Sequence, residues 1–288
     1  MIINAYAKIN WDLYITGVRP DGYHELDSVM QPVSLHDTVT VDLKAPEEKS
    51  SLTVDGPFKT GVPADGSNLA AKAAELFGEA LGRRVPVGIR ITKHIPNGAG
   101  LGGGSADAAA VLLLLNEING GILPRDRMDT LALRLGADVP FCLRRSACRA
   151  RGIGETLEPF SMPEGAPLLL IMGSGRLDTG RVYRGFDAAG AVCDRDRISR
   201  SRASLLRGDY ALYALEAENM LYPPALALEA GLREGIDSLR AEGAVFAAMT
   251  GSGAALFGVF RTAADTEAAR TKLKEKYPCC LTARTGIA

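Results

Sequence analysis

The sequence predicts a two-domain α+β protein. Three observations lead there: a length of 288 residues, beyond the usual reach of one hydrophobic core, two-residue alternation of apolar and polar positions through much of the N-terminal third, and a second half in which strands and helices mix without regular βαβ spacing. Hydrophobic residues make up 47% of the chain and charged residues 23%, so a sizeable interior is expected and disorder is not.

In chain order, Ile2 to Ile9, Trp11 to Thr16 and Thr38 to Leu43 alternate as strands, with turn signals at Arg19-Pro20-Asp21-Gly22 between them, and an antiparallel sheet is expected. Asn68 opens an alanine-rich segment to Leu81 whose Leu69, Ala73, Leu76 and Ala80 recur at helical spacing, closed by Gly82. Val87 to Ile95 alternates again and stops at Pro96. The most unusual composition follows, NGAGLGGGSADAAAVLLLLN, which reads as a glycine loop running into a helix from Ser105 to Asn116. Arg125 to Leu135 reads as a short helix leading into GADVPF, and Cys148 to Leu157 as a strand pair around Gly152 and Gly154. The composition changes at SMPEGAP, which places the boundary between domains 1–157 and 158–288. Beyond it come a buried-looking strand, Leu168 to Met172, helical segments of which Leu226 to Ala241 is the clearest, and strands at Phe246 to Met249 and Ala254 to Phe260 flanking the loop TGSGA. A charged helix from Ala263 to Tyr277 and a last strand end the chain.

Bulk charge excludes several functions. With 33 basic and 34 acidic residues the net charge is −1, so no global field holds the chain on a nucleic acid or an anionic membrane. The longest apolar stretch, Ala108 to Leu115, is far short of the roughly 20 residues of a membrane span, and Lys8 and Asp12 interrupt any signal-like core at the start. Five cysteines, Cys142, Cys148, Cys193, Cys279 and Cys280, contain no C-x-x-C pair, which fits reduced thiols in the cytoplasm. His24, His36 and His94 lie far from any cysteine at metal-ligand spacing, so no structural zinc site is expected.

Gly98, Gly100, Gly102, Gly103 and Gly104 remove the Cβ atoms that keep a ligand from the backbone and permit positive φ. Because the loop runs into a helix, the unsatisfied N–H groups at that helix start face the same spot, which makes a phosphate site without a loop lysine. Gly98-Ala99-Gly100-Leu101-Gly102-Gly103 also satisfies G-x-G-x-x-G, but the acidic residue a dinucleotide site wants about 20 positions on would fall in Glu117-Ile118-Asn119-Gly120-Gly121, a helix end and turn. A Walker A loop is excluded, since no Gly-Lys-Ser/Thr follows. A bare tight turn seldom needs five glycines.

The run Pro96-Asn97-Gly98-Ala99-Gly100-Leu101-Gly102-Gly103-Gly104-Ser105 resembles the phosphate-binding motif of the GHMP kinases, the family of galactokinase, homoserine kinase and the mevalonate kinases. The resemblance implies that this loop wraps the triphosphate of ATP and that Ser105 lies near the phosphates and Mg²⁺. Ala106 stands where many members carry a second serine. AYAKINWDLYITGVRPDGYHEL, GADVPF and MTGSGAALFGVF extend the likeness over nearly the whole chain, to the branch of the family whose acceptor is a cytidine diphosphate derivative of methylerythritol. Trp11 replaces a leucine common after Lys-Ile-Asn and Asn219-Met220 lacks an acidic residue that often follows, changes expected to alter packing more than chemistry.

Within the resemblance, Asp138 is the candidate base and Lys8 its partner, and for Lys8 the bland alternative is that it merely points to solvent. It implies further that Tyr23 and His24 contact the cytosine ring, that Asn10 and Thr179 bind the acceptor, that Tyr183 closes an aromatic sandwich and that Asn68 lies near the adenosine. Tyr23 would otherwise cover a core edge, and Asn68 would be a simple N-cap. Lys93, on the strand entering the loop, is expected either to face a phosphate or to stand idle on an exposed strand. The implied fold is a ribosomal-protein-S5-like nucleotide domain followed by a ferredoxin-like domain, with a cleft between them. The implied reaction is phosphorylation of the acceptor 2-hydroxyl by MgATP, on the non-mevalonate route to isoprenoid precursors, by a monomer or homodimer. Other alcohols, such as homoserine or mevalonate, and a non-catalytic nucleotide-binding regulator are the rival readings.

Overall fold

The computed structural model describes residues 1–173, 175, 177–191 and 193–287. Its elements are β1 (Ile2–Asn10), β2 (Tyr14–Val18), β3 (His24–Leu43), β4 (Ser51–Asp55), α1 (Leu69–Ala80), β5 (Val87–Thr92), α2 (Gly103–Ile118), α3 (Arg125–Leu135), α4 (Val139–Arg144), β6 (Cys148–Gly152) and β7 (Thr156–Pro159). They continue with β8 (Pro167–Met172), α5 (Thr179–Ala189), α6 (Arg195–Leu206), α7 (Tyr210–Glu216), α8 (Tyr222–Leu228), α9 (Gly231–Ala241), β9 (Phe246–Met249), β10 (Leu256–Val259), α10 (Ala263–Leu273) and β11 (Cys279–Arg284). The α+β class read from the sequence is the class observed. No helix among the described residues is long and apolar enough to cross a membrane.

The chain forms two compact units that interleave along the sequence. The first gathers Met1–Lys8, Leu35–Asn97 and Gly102–Arg145, the second Ile9–Ser34, Gly98–Leu101 and Ser146–Ala288. A single cut after residue 157 describes chain-continuous domains, a different partition from this one.

In the first unit, the C-terminal part of β3 pairs antiparallel with β5, from Thr38 opposite Thr92 to Leu43 opposite Val87. Val39, Val41, Ile89 and Ile91 bury their alternate side chains, which is the period-2 pattern the sequence displays. β4, a strand that the sequence reading did not single out, runs parallel to β5. Alternation carries no directional signal, and the connection through α1 is the helical crossover that a parallel pair requires. α1 and α4 pack against α2, whose Ala108, Ala109, Val111, Leu112 and Leu115 are fully or nearly fully buried.

In the second unit, β8 lies centrally in the antiparallel order β11-β8-β10-β9, and α9 and α10 pack on this sheet. Leu169, Ile171, Ile236, Leu239, Leu256 and Leu273 belong to one core. The N-terminal part of β3 pairs with β2 and with β6. This long first part of β3 was invisible as a strand because every residue from Asp27 to Val33 is buried, which erases the alternation. Trp11 packs among aromatic rings, parallel to Tyr210 at 5.4 Å and edge-on to Phe257 at 5.6 Å, and donates its indole N–H to Gln31 at 2.9 Å. The indole thus fills its place by ring packing and one hydrogen bond.

The same unit buries an ion network. Arg202 reaches Asp12 at 3.2 Å and Asp27 at 2.7 Å, and Arg149 takes Asp27 through Nε at 2.9 Å and Nη2 at 2.5 Å. Burial raises the Asp12 carboxyl above the usual range, with Arg202 opposing.

The helix expected over Leu226 to Ala241 is two. Glu229 takes an extended conformation, φ −142° and ψ 90°, and its carboxylate accepts the Gly231 N–H at 3.1 Å, a local bond that competes with helix continuation. The charged helix expected to reach Tyr277 ends at Leu273, and the strand expected to reach Ile95 ends at Thr92.

Candidate active site

The glycine loop crosses from the second unit into the first, and the backbone does there what the composition suggested. Gly98, Gly100 and Gly102 have φ of 70°, 77° and 71°, a region that side chains disfavour. A Cβ on Gly100 would lie 2.9 Å from the carbonyl oxygens of both Thr250 and Gly253. The loop therefore rests directly on TGSGA, and the Ala255 N–H donates to the Ala99 carbonyl at 3.1 Å. TGSGA is held in turn by Asn219, whose Nδ2 donates to the carbonyls of Met249 at 3.0 Å and Gly251 at 2.8 Å. Of the rest of the motif, Pro96 and Leu101 are buried and the Asn97 amide donates to the Gly61 carbonyl at 3.0 Å.

Gly102 is the N-cap of α2, without a side-chain cap. The first intrahelical bond runs from the Ala106 N–H to the Gly102 carbonyl, which leaves the amides of Gly103, Gly104 and Ser105 at the positive end of a 16-residue helix. This arrangement fits an anion such as a polyphosphate. Ala106 is buried, and its methyl group carries no atom able to ligate.

Lys8 and Asp138, 130 positions apart, meet in the first unit with Nζ 3.5 Å from Oδ2. Lys8 is 4% exposed, which removes the solvent-pointing alternative. Its aliphatic stem runs past Gly102, where a Cβ would stand 3.0 Å from Lys8 Cγ. Asp138 is the N-cap of α4, and Pro140 near the start of that helix favours the turn that presents the carboxylate. Its side chain is 39% exposed. One turn on, the buried Cys142 thiol is pushed well up, first by burial and then by Asp138.

Lys93 sits elsewhere than expected. Its ammonium is 3% exposed and forms ion pairs with Asp37 and with Asp107 at 2.7 Å. Asp37 also accepts the N–H groups of His94 at 2.5 Å and Ile95 at 2.8 Å, so this cluster fixes the stretch that enters the loop. A Cβ on Gly103 would lie 3.3 Å from Lys93 Nζ, which puts the cluster under the first turn of α2. Burial would lower the Lys93 pKa, and the two carboxylates overcome it and raise the value. Asn68 caps α1 by accepting the Ala70 N–H at 2.9 Å and donates to the Pro63 carbonyl at 2.7 Å, so the capping role is real.

In the second unit, the Asn10 amide donates to Ser28 at 2.8 Å, and its backbone N–H donates to Thr250 Oγ1 at 2.9 Å. Tyr23 is 61% exposed and covers no core edge. The His24 ring lies 4.8 Å from Tyr183 and edge-on to Phe186 at 6.0 Å. Thr179, at the start of α5, shares a hydrogen bond with Ser252 of TGSGA at 2.9 Å.

Asp37, Asp107 and Asp187 escaped the sequence reading, which met Asn219 and Ser252 only inside motifs and gave them no role. Of the three carboxylates only Asp107 carried a signal, as a lone carboxylate in an alanine- and leucine-rich helix. Among the described residues no group of three or more His, Cys, Asp or Glu is placed to hold a metal ion.

Comparison with known proteins adds the family. The model of the GHMP kinases N terminal domain matches residues 68–146, and that of the GHMP kinases C terminal matches 201–279. The 4-diphosphocytidyl-2-C-methyl-D-erythritol kinase of Paramagnetospirillum magneticum is 37% identical over 281 residues, covering 96% of this chain and 94% of that protein. A crystal structure of 4-(cytidine 5′-diphospho)-2C-methyl-D-erythritol kinase superposes with a TM-score of 0.82 at 35% identity, covering 99% of both chains. L. major mevalonate kinase, solved with R-mevalonate, shares the fold at 13% identity, with a TM-score of 0.73 over 99% of this chain and 96% of that one.

Proposed function

This chain belongs to the GHMP kinase family, and we propose that within it the chain transfers the γ-phosphoryl group of ATP to the 2-hydroxyl of 4-diphosphocytidyl-2-C-methyl-D-erythritol, a step toward isoprenoid precursors. The observation that carries the reading is the meeting of Lys8 with Asp138 in a chain more than a third identical to kinases of that name over nearly its full length. The boundary near residue 157 stays part of this proposal; one family model matches before it, at 68–146, and the other after it, at 201–279. Both substrates are charged nucleotides, which fits a cytoplasmic enzyme.

The amides at the start of α2 would hold the polyphosphate, with Asn68 on the adenosine side and Ser105 beside Mg²⁺. That ion would be bound mainly through the nucleotide's own phosphate oxygens, as Mg²⁺ commonly is, and would offset charge on them. Asp138 would accept the proton of the attacking hydroxyl at its carboxylate, and Lys8 would compensate charge on the attacking oxygen. Tyr23, His24 and Tyr183 would receive the cytosine ring, with Asn10 and Thr179 positioning the acceptor. Lys93 would act on the phosphates only through the loop it helps to fix.

The test is ADP release with MgATP and, in turn, the cytidine diphosphate acceptor, homoserine and mevalonate. Turnover with the first alone supports the proposal, and turnover with either of the others instead rules it out. Asp138→Asn should lose on the order of 10² to 10⁴ in turnover while nucleotide still binds. An Asp138→Asn enzyme with normal turnover would exclude Asp138 as the base.

A further inference from the structure

His24 opens β3 with its imidazole 11% exposed, and its Nε2 lies 2.6 Å from Asp187 Oδ1 on α5. Thr179, Tyr183 and Asp187 recur every four residues on that helix, so they share one face. Two of the three already belong to the acceptor-binding set. The third has no role in it.

An ionised carboxylate only accepts hydrogen bonds, so the hydrogen in this contact resides on Nε2. In the neutral ring the single N–H is then committed, and Nδ1 presents a lone pair. No described residue hydrogen-bonds Nδ1, because the contacts of the ring are those to Asp187, Tyr183 and Phe186. The site thus displays an acceptor beside a tilted tyrosine ring.

We propose that Asp187 is a positioning residue that decides which pyrimidine the site takes, by holding the His24 hydrogen on Nε2 and leaving Nδ1 to accept the exocyclic amino group of cytosine. Uracil carries a carbonyl oxygen at that position and would set lone pair against lone pair, leaving both groups unsatisfied. The inference rests on the reading of His24 as a contact of the cytidine base.

CDP and UDP binding to the full chain, measured by calorimetry on the wild type, Asp187→Ala and Asp187→Glu, tests it. Asp187 is half exposed, so the replacements leave the fold intact. Wild type should prefer CDP by roughly tenfold to a hundredfold, the range for one hydrogen bond made or lost in a partly buried site. Asp187→Ala should bring the preference within about threefold, and Asp187→Glu, which keeps an acceptor, should restore most of it. In ¹⁵N spectra, wild-type His24 should be protonated at Nε2 and bare at Nδ1, with both tautomers present in Asp187→Ala. An unchanged preference in Asp187→Ala, or a wild-type ring protonated at Nδ1 alone, overturns the proposal. A wild type that prefers CDP while Asp187→Ala does too leaves the cytidine reading standing without Asp187. One that binds neither nucleotide overturns both.

Discussion

Asp107 lies one turn into α2, pairing with Lys93 through Oδ2 while its Oδ1 is buried without a hydrogen-bond partner. Burial pushes its pKa up to about 7, Lys93 pulls against that, and the neighbouring Asp37 carboxylate adds to it. The folded chain therefore keeps a proton that the unfolded chain releases near pH 4. Stability from this group is full below about pH 4 and is lost as pH rises to about 7. Asp107→Asn does not titrate, so its stability relative to wild type should grow by about 2 kcal/mol between pH 5.5 and 8.5, read from denaturant unfolding at several pH values. A difference that stays constant with pH would remove Asp107 as the titrating group. Single residues were legible where a motif marked them. The Lys8 and Asp138 pairing was anticipated across 130 positions, whereas Lys93 was expected to face a phosphate or stand idle on an exposed strand, because its partners, Asp37 and Asp107, lie 56 and 14 positions away with no periodic link to it.

Among the elements, the glycine loop is the most constrained. Gly100 combines φ of 77° with two carbonyl oxygens where a Cβ would go, and both belong to backbone that Asn219 clamps. Gly100→Ala should therefore cost about 2 kcal/mol or more in stability and displace the loop, visible as a lower Tm and loss of nucleotide-induced stabilisation. A Gly100→Ala chain with wild-type Tm would show that the loop gives way freely. Glycine content made the loop readable, and alternation gave β5 and the C-terminal part of β3. Elements buried on both faces, such as the start of β3, and breaks made by a side chain, such as Glu229 between α8 and α9, have no periodic signature.

For the whole molecule, the alternating segments and the irregular mixing of strands and helices sufficed for the α+β class, because both are read over many residues. The interleaving of the compact units did not show, since contacts between distant segments leave no local trace. A fragment of residues 1–157 would carry Ile9–Ser34 without most of the unit it belongs to. In that fragment Trp11 loses Tyr210, Tyr213, Phe246 and Phe257, and Asp12 loses Arg202. Expressed alone, 1–157 should aggregate or bind the dye ANS strongly, unlike the full chain, in gel filtration and dye titration. A monodisperse fragment with weak dye binding would argue that the remaining contacts suffice.

The aromatic nest around position 11 has a practical corollary. The chain has one tryptophan, and it resides wholly in the second unit. Excited at its red absorption edge, the molecule emits from a single dry indole, so a red shift during urea titration times the opening of that unit alone. The first unit is silent at that wavelength.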